Sequence, residues 1–235
     1  MKTIGLLGGM SWESTVSYYR LINEGVRNAL GGLHSARISL YSVDFEPLEQ
    51  LQHQGEWDAA AAILVRAARA VEAGGADFLL ICTNTMHKVA PRVEAALSIP
   101  LLHIADATGR RLVADGVRRV GLLGTRFTME QTFYRRRLER GYGIQVLVPE
   151  QAQRQQVHRI IYSELCLGKI GQDSQQEYLE IVASLQQRGA EAVILGCTEI
   201  ALLIHQGLTP VPLYDTTRIH AEEAVRCALG EWEPE

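Results

Sequence analysis

Three pairs of similar segments occur in the same order in the two halves of the chain. "IGLLGGMS" from Ile4 is similar to "VGLLGTRF" from Val120, and "GADFLLICTNT" from Gly75 is similar to "GAEAVILGCTE" from Gly189. In the third pair, "IPLLHIADAT" is similar, with a short gap, to "VPLYDTT". Three matches at nearly equal offsets predict that the chain consists of two related halves with the same fold.

Short apolar runs that alternate with helical patterns predict the fold of each half. Nearly all-apolar runs are typical of parallel strands buried on both faces. Between two of these runs, residues 56–73 are rich in strong helix formers and end at Gly74, a helix stop signal. The predicted strands are residues 2–7, 37–43, 77–82, 101–104, 119–124, 144–148, 191–196 and 211–214. This alternation predicts an α/β protein with two pseudo-symmetric, flavodoxin-like domains whose mostly parallel sheets face a central cleft.

The length of 235 residues suits two α/β domains of roughly 100 residues each. We expect the last helix, residues 216–228, to cross back and pack on the first domain. The predicted first domain is therefore 1–100 plus 210–235, and the second is 101–209.

Composition and charge exclude several classes of partner. The formal net charge of −4 leaves no basic excess that could neutralise nucleic-acid phosphates. No segment approaches the roughly 20 apolar residues that span a bilayer. The four cysteines are far apart without a CxxC spacing, which indicates reduced thiols rather than disulfides or a zinc site. These features predict a cytoplasmic protein that binds no nucleic acid, membrane or metal.

The predicted ligand site lies where strands end and helices begin. In open α/β sheets, ligands bind beyond the carboxyl ends of the strands, and both "CTNT" and "GCTE" lie there. Backbone N–H groups at helix starts favour anions. "GLLGGM" is not a GxGxxG motif, and the chain carries neither the lysine of a P-loop nor a GxSxG motif. The pattern predicts a small anionic ligand.

The internal repeat identifies the side chains that reach this ligand. Aligning Gly75 with Gly189 places Thr83 opposite Cys197, and Cys82 opposite a glycine. Successive strand residues point to opposite faces, so Cys82 is expected to pack in the interior if Cys197 faces the cleft. Thr83 would then face the cleft as well.

A pair of small protic side chains suits one chemistry in particular. Thr83 and Cys197 could remove a proton from one face of a carbon atom and return another to the opposite face. A thiol has a pKa of about 8.5, and helix dipoles that stabilise the thiolate would bring that pKa within reach. The alternative at this point is that Cys197 is an ordinary packing residue.

At these residues the sequence resembles the aspartate/glutamate racemase family, which works without pyridoxal phosphate. The resemblance is carried by "IGLLGGM" at 4–10, "TNT" at 83–85 and "GCTE" at 196–199. It implies that Cys197 is one of two acid–base groups and that no cofactor is needed, and it implies a homodimer. The first thiol of the family pattern is Thr83 here. The sequence is most similar to the L-aspartate/glutamate-specific branch, which implies a strong preference for one enantiomer.

The resemblance also implies substrate-binding positions. Met10 corresponds to a pocket wall, and Gln52 falls roughly where aspartate racemases place an arginine for the substrate carboxylate. Cys166 falls about where a lysine is often found. The positions implied to hold the α-carboxylate and α-amino group are Asn84, Thr85, Thr198 and Glu199, which could equally cap helices.

We therefore expect a cofactor-independent amino-acid racemase that inverts Cα of L-glutamate and L-aspartate, with Cys197 thiolate and Thr83 on opposite faces. Gln52 and Cys166 stand roughly where related racemases have an arginine and a lysine. Without those two positive charges, selection for a second substrate carboxylate would be weaker, so broader amino-acid specificity remains open. Three other functions remain: a decarboxylase, a maleate-type isomerase, and a catalytically inactive amino-acid-binding protein. The role of His87 stays open between support of the motif and core packing. Asp106 and Asp215 are expected to be helix N-caps.

Overall fold

The protein is described by a computed structural model that covers residues 1–231. Its contacts divide the chain into two units. The first unit comprises Met1–Ile104 together with residues 220–231, and the second comprises Ala105–Ile219. Each unit is an α/β structure around its own parallel sheet, which confirms the predicted fold class of two α/β domains.

The sheet of the first unit has three parallel strands, β1 (Ile4–Gly8), β2 (Ile38–Ser42) and β3 (Phe78–Ile81). They pair in the order β2–β1–β3. The other elements of this unit are the helices α1 (Trp12–Leu30), α2 (Phe45–Gln54), α3 (Trp57–Ala73) and α4 (Ala90–Glu94), and the 3-10 turn Thr85–Val89.

The two faces of this sheet are covered by different helices. Leu79 and Ile81 of β3 lie in an apolar cluster with α3, whereas Phe78 and Leu80 lie in a second cluster with α1 and the C-terminal helix. Helix α1 faces that second cluster because Tyr18, Ile22 and other apolar residues recur at helical spacing along its buried side. The all-apolar strand sequences thus reflect burial on both faces.

The sheet of the second unit has four parallel strands, β4 (Arg119–Gly124), β5 (Gln145–Leu147), β6 (Ala192–Gly196) and β7 (Leu213–Asp215). They pair in the order β5–β4–β6–β7. The helices are α5 (Ile104–Ala114), α6 (Arg126–Glu130), α7 (Thr132–Tyr142), α8 (Gln151–Ser163), α9 (Gln172–Gln187), α10 (Ile200–Leu203) and α11 (Thr216–Ala228), with 3-10 turns at Leu165–Leu167 and Gln206–Leu208. Helix α5 begins at the last residue of the first unit, and α11 continues into it.

The prediction of a strand at 101–104 is wrong. Only Leu101 forms an isolated bridge, opposite Leu79, and α5 begins at Ile104. The hydrogen bond beside this bridge has an equivalent in the second unit. Leu79 N–H donates to Pro100 O at 2.9 Å in the first unit, and Val193 N–H donates to Pro212 O at 2.8 Å in the second. The repeat therefore preserves this contact in both units, although the strand itself forms only as β7.

The contact-based units differ from the predicted domains at two short segments. Residues 101–104 belong to the first unit, because Leu79 bonds to Pro100 and Leu102. Residues 210–219 belong to the second unit, because β7 pairs with β6. The final helix spans Thr216–Ala228, the predicted range, and its residues from Ala221 onward pack in the cluster around β1 and β3.

Candidate active site

Thr83 lies two residues beyond the end of β3, and its backbone is held by the strand. Cys82 N–H donates to Leu7 O at 2.9 Å, and Thr83 N–H donates to Ile81 O at 2.9 Å. Thr83 itself is half-buried. Cys82 is fully buried in the same cluster as Phe78 and Leu80, and burial raises the pKa of its thiol. The predicted packing role of Cys82 is therefore confirmed.

The residues after Thr83 turn sharply into the 3-10 turn Thr85–Val89. Asn84 and Thr85 are both buried, with 2% and 5% of their surface exposed. The carbonyl of Asn84 accepts the N–H of His87 at 3.1 Å. The side chain of His87 also returns to this turn, where Nδ1 lies 2.7 Å from the Thr83 carbonyl oxygen.

Two further predicted site residues, Met10 and Gln52, also lie in the first unit. Met10 follows β1 and is buried in the apolar cluster that also contains Met86. Gln52, on α2, is 2% exposed and donates from Nε2 to Met86 Sδ at 3.1 Å. Gln52 thus contacts the turn that follows Thr83, and Met10 belongs to the same apolar cluster as Met86.

In the second unit, Cys197 directly follows the last residue of β6 and is half-buried. Its Sγ donates to Glu199 Oε2 at 2.9 Å, and Thr198 Oγ1 donates to the same oxygen at 2.7 Å. Glu199 is only 4% exposed. The structure therefore brings Cys197, Thr198 and Glu199 together, with two donors on one buried carboxylate oxygen.

Close packing of glycines positions the end of β6. A Cβ on Gly196 would lie 2.8 Å from Leu123 O, and one on Gly124 would lie 2.9 Å from Gly196 O. The residue after Gly124 is Thr125, whose hydroxyl accepts the N–H of Thr128 at 3.3 Å and caps α6. The ends of β4 and β6 can approach each other only because neither glycine carries a side chain.

The expected lowering of the pKa of Cys197 by helix dipoles is wrong. Burial raises the pKa of this thiol well above its usual range, and the negative charge of Glu199 raises it further. The helix that follows, α10, has only four residues, so its dipole is small. Cys197 is consequently a neutral thiol whose proton points at Glu199.

Of the two aspartates expected to cap helices, one does so and the other does not. Asp215 is an N-cap, because its Oδ1 accepts the N–H of Thr217 at 2.9 Å. Asp106 is not a cap: it lies in the first turn of α5 and forms a bidentate pair with Arg137, with bonds of 2.7 and 2.6 Å. Cys166 packs, partly buried, against the apolar cluster of the second unit, and Cys227 is fully buried.

Sequence reasoning missed two contacts of this site. The thiol–carboxylate bond of Cys197 and Glu199 was missed because Glu199 was assigned to the substrate; the two-residue spacing was the available signal. The bond from His87 to the Thr83 carbonyl was missed because nothing in the sequence distinguishes it from core packing.

Within residues 1–231, no group of three or more His, Cys, Asp or Glu side chains is arranged to hold a metal ion. A search of the same residues finds no helix that is both long and apolar enough to cross a membrane.

Comparison with known proteins places this site in context. The sequence pattern of the family described as Asp/Glu/Hydantoin racemase matches residues 7–224. A Bacillus subtilis protein described as the broad specificity amino-acid racemase RacX is 24% identical over 232 residues, which cover 97% of this chain and 98% of that protein.

Two solved structures share both fold and sequence with the chain. One, from Yersinia pestis and described as a candidate Asp/Glu racemase, is 53% identical with a TM-score of 0.91. The other, an aspartate racemase homologue from Pyrococcus horikoshii, is 34% identical with a TM-score of 0.84. Each comparison covers 97% of this chain and 100% of the other.

Proposed function

The chain belongs to the Asp/Glu/hydantoin racemase family and is an isomerase, and from that premise we propose that it racemises L-glutamate and L-aspartate without a cofactor. The observation that carries this proposal is the thiol of Cys197, held 2.9 Å from the buried Glu199 carboxylate at the carboxyl end of β6. Acid–base chemistry at a carbon needs such a pair, because the thiol must lose its proton before it can accept another.

The first step would generate the base. Glu199 accepts the thiol proton of Cys197, and the resulting thiolate removes the α-proton from one face of the substrate. The cost of that transfer is lower than the raised thiol pKa suggests, because a proton on Glu199 also removes the negative charge that opposes the thiolate. The thiol thus stays neutral until a substrate occupies the site.

The second step would return a proton to the opposite face. The hydroxyl of Thr83 delivers or relays this proton and is reprotonated from solvent, and Glu199 releases its proton to solvent, which restores the starting state. A hydroxyl is a much weaker acid than a thiol, so the ionised form of Thr83 that the reverse abstraction needs would be scarce and that abstraction would be slow. This difference between the two groups accounts for faster α-proton exchange of the enantiomer whose α-proton faces Cys197.

The carbanion formed between the two steps needs hydrogen-bond donors on its carboxylate. The backbone and side chains of Asn84, Thr85 and Thr198 would donate these hydrogen bonds to the α-carboxylate. Glu199 would contribute to binding of the α-amino group. Met10 would form a wall of the pocket. Gln52 would contact the distal carboxylate through its amide.

Two further proposals concern the working form of the protein. Its four cysteines are free thiols, which supports a reducing compartment and hence the cytoplasm. The family resemblance supports a homodimer, and light scattering would give the mass of the particle in solution.

Proton NMR in D2O, followed by chiral analysis, tests the function. L-glutamate and L-aspartate should each lose the α-proton signal and form the D-enantiomer, and Cys197→Ser should abolish both. Exchange without inversion would remove Thr83 from the mechanism. Absence of exchange with any common amino acid would overturn the racemase and leave the binding protein, the decarboxylase or the maleate-type isomerase.

Broad specificity is a second candidate, and the buried Gln52 favours it. Its amide is a neutral group bonded to Met86, so it selects less strongly for a second substrate carboxylate than an arginine would. The described activity of the Bacillus relative agrees with this reading. Comparable turnover of neutral and acidic amino acids in the same NMR assay would establish it.

A further inference from the structure

His87 is buried and bonded at both ring nitrogens. It is 2% exposed and follows Thr83 by four residues, within the 3-10 turn Thr85–Val89. Nδ1 lies 2.7 Å from the Thr83 carbonyl oxygen, and Nε2 lies 3.3 Å from the amide nitrogen of Ile104. The imidazole therefore connects the turn after β3 to the start of α5.

These two partners fix the proton on the ring. A carbonyl oxygen can only accept, so Nδ1 carries the hydrogen; a backbone N–H can only donate, so Nε2 is the acceptor. Both bonds form together only in the neutral Nδ1–H tautomer.

A buried aromatic cluster holds this ring in place. His103, 4% exposed, packs edge-on against His87 with ring centres 4.4 Å apart, and His220 lies 6.1 Å away. The ring of His220 is itself fixed, because Nε2 donates to Leu102 O and Nδ1 accepts from the Tyr18 hydroxyl, each at 2.7 Å. His87 thus packs against neighbouring rings, one of which is fixed by two hydrogen bonds of its own.

The bond from His87 restrains the backbone on which Thr83 depends. The N–H of Thr83 is held by Ile81, and its carbonyl is held by the imidazole. The direction of a side chain follows from its own backbone, and a displacement of about 1 Å in an acid–base group can slow a reaction by on the order of 100-fold.

We infer that His87 is a positioning residue for Thr83, acting through its bond to the Thr83 carbonyl, an inference that rests on the proposed racemase. It serves the proton transfer on the Thr83 face and leaves the transfer at Cys197 unaffected. Loss of the imidazole bond then has a signature that general destabilisation lacks: inversion falls while α-proton exchange continues.

The test measures both quantities with L-glutamate in D2O, exchange by NMR and inversion by chiral chromatography. His87→Leu removes the donor, whereas His87→Asn keeps an N–H near the position of Nδ1. We expect His87→Leu to lower the ratio of inversion to exchange by on the order of 10-fold. His87→Asn should recover most of that ratio.

Tyr18→Phe is the matched control, because it removes a buried hydrogen bond of the same cluster without touching Thr83. Its ratio should equal that of the wild type even if its thermal stability drops. If His87→Leu does not fold, His87→Gln, which cannot place its amide N–H at Nδ1 with the same geometry, replaces it against His87→Asn.

The two possible failures are distinguishable. A wild-type protein without α-proton exchange would overturn the proposed function. A wild-type protein that exchanges and inverts, with His87 variants that slow both processes equally or neither, would overturn the role of His87 alone.

Discussion

The two motif turns, "TNT" after β3 and "GCTE" after β6, occupy equivalent positions in the repeat but differ in the hydrogen bonds that hold them. Thr83 is positioned through its backbone, by Ile81 and the imidazole of His87. The carbonyl of Cys197 accepts the N–H of Ile200 at 3.1 Å, and its side chain is held as well, by the carboxylate of Glu199. The difference teaches that a duplicated scaffold conserves where a reactive group stands, whereas local hydrogen bonds decide what that group can do.

Removal of the Cys197 thiol should have the largest effect on activity. Cys197→Ser should lower racemisation by about 10³-fold or more, because a hydroxyl is a far weaker acid than a thiol and Glu199 cannot deprotonate it. Chiral chromatography of L-glutamate gives the rate. Because the substitution is small and the site half-buried, the unfolding midpoint should stay near that of the wild type, which excludes misfolding as the cause.

The carboxylate is the next target. Glu199→Gln should lower turnover by about 10²-fold, because the thiol proton loses its acceptor. The same change should lower the pKa of Cys197, since the Glu199 charge contributes to raising it. Alkylation of the variant by iodoacetamide should therefore begin at lower pH than in the wild type, although catalysis is weaker.

Thr198→Val is the control for that experiment, because it removes the other donor to the same oxygen and keeps the carboxylate. Its alkylation profile should stay close to that of the wild type. A Glu199→Gln protein whose alkylation shifts to higher pH would contradict the electrostatic account of this thiol.

A thiol in place of the Thr83 hydroxyl would give the two motif turns the same reactive group. Thr83→Cys should bring the rates of α-proton exchange of L- and D-glutamate in D2O closer together by about 10-fold, because both faces would then carry a thiol. Thr83→Ser, which keeps the hydroxyl, should retain the wild-type ratio. An unchanged ratio in Thr83→Cys would exclude Thr83 from the proton transfer.

The smallest effect on activity is expected at Cys82, the residue before Thr83. Cys82→Ser should cost about 1–3 kcal/mol in the free energy of unfolding, because it places a hydroxyl among apolar side chains. Urea titration measures this, with Cys82→Ala as the purely apolar comparison. Turnover per folded molecule should not change, and a loss of turnover would mean that Cys82 reaches the substrate.

The strands that depend on hydrophobic pattern could be predicted from the sequence. All-apolar runs predicted β1, β3, β4 and β6, and the repeat predicted that Cys82 is buried and Thr83 less so. The failure at 101–104 has a local cause, since helix α5 starts at Ile104 and leaves room for a single bridge. Hydrophobic pattern alone does not determine where a strand yields to a helix.

The electrostatics of the site could not be predicted in the same way. The pKa of Cys197 depends first on its burial and then on where the Glu199 carboxylate lies, and both are properties of the folded chain rather than of residue type. Likewise, the ring of His87 finds its second partner at Ile104, whose proximity arises only in the folded unit. Motif reading located both turns but not the hydrogen bonds that distinguish them.

The glycine contact between β4 and β6 has a consequence for how the chain can diversify. A library randomised at positions 124 and 196 and selected for activity should return almost only glycine, because any Cβ would meet a backbone carbonyl. The same library at position 83 should return several residues. The residue at position 83 can thus change over evolution while the glycines at positions 124 and 196 stay fixed.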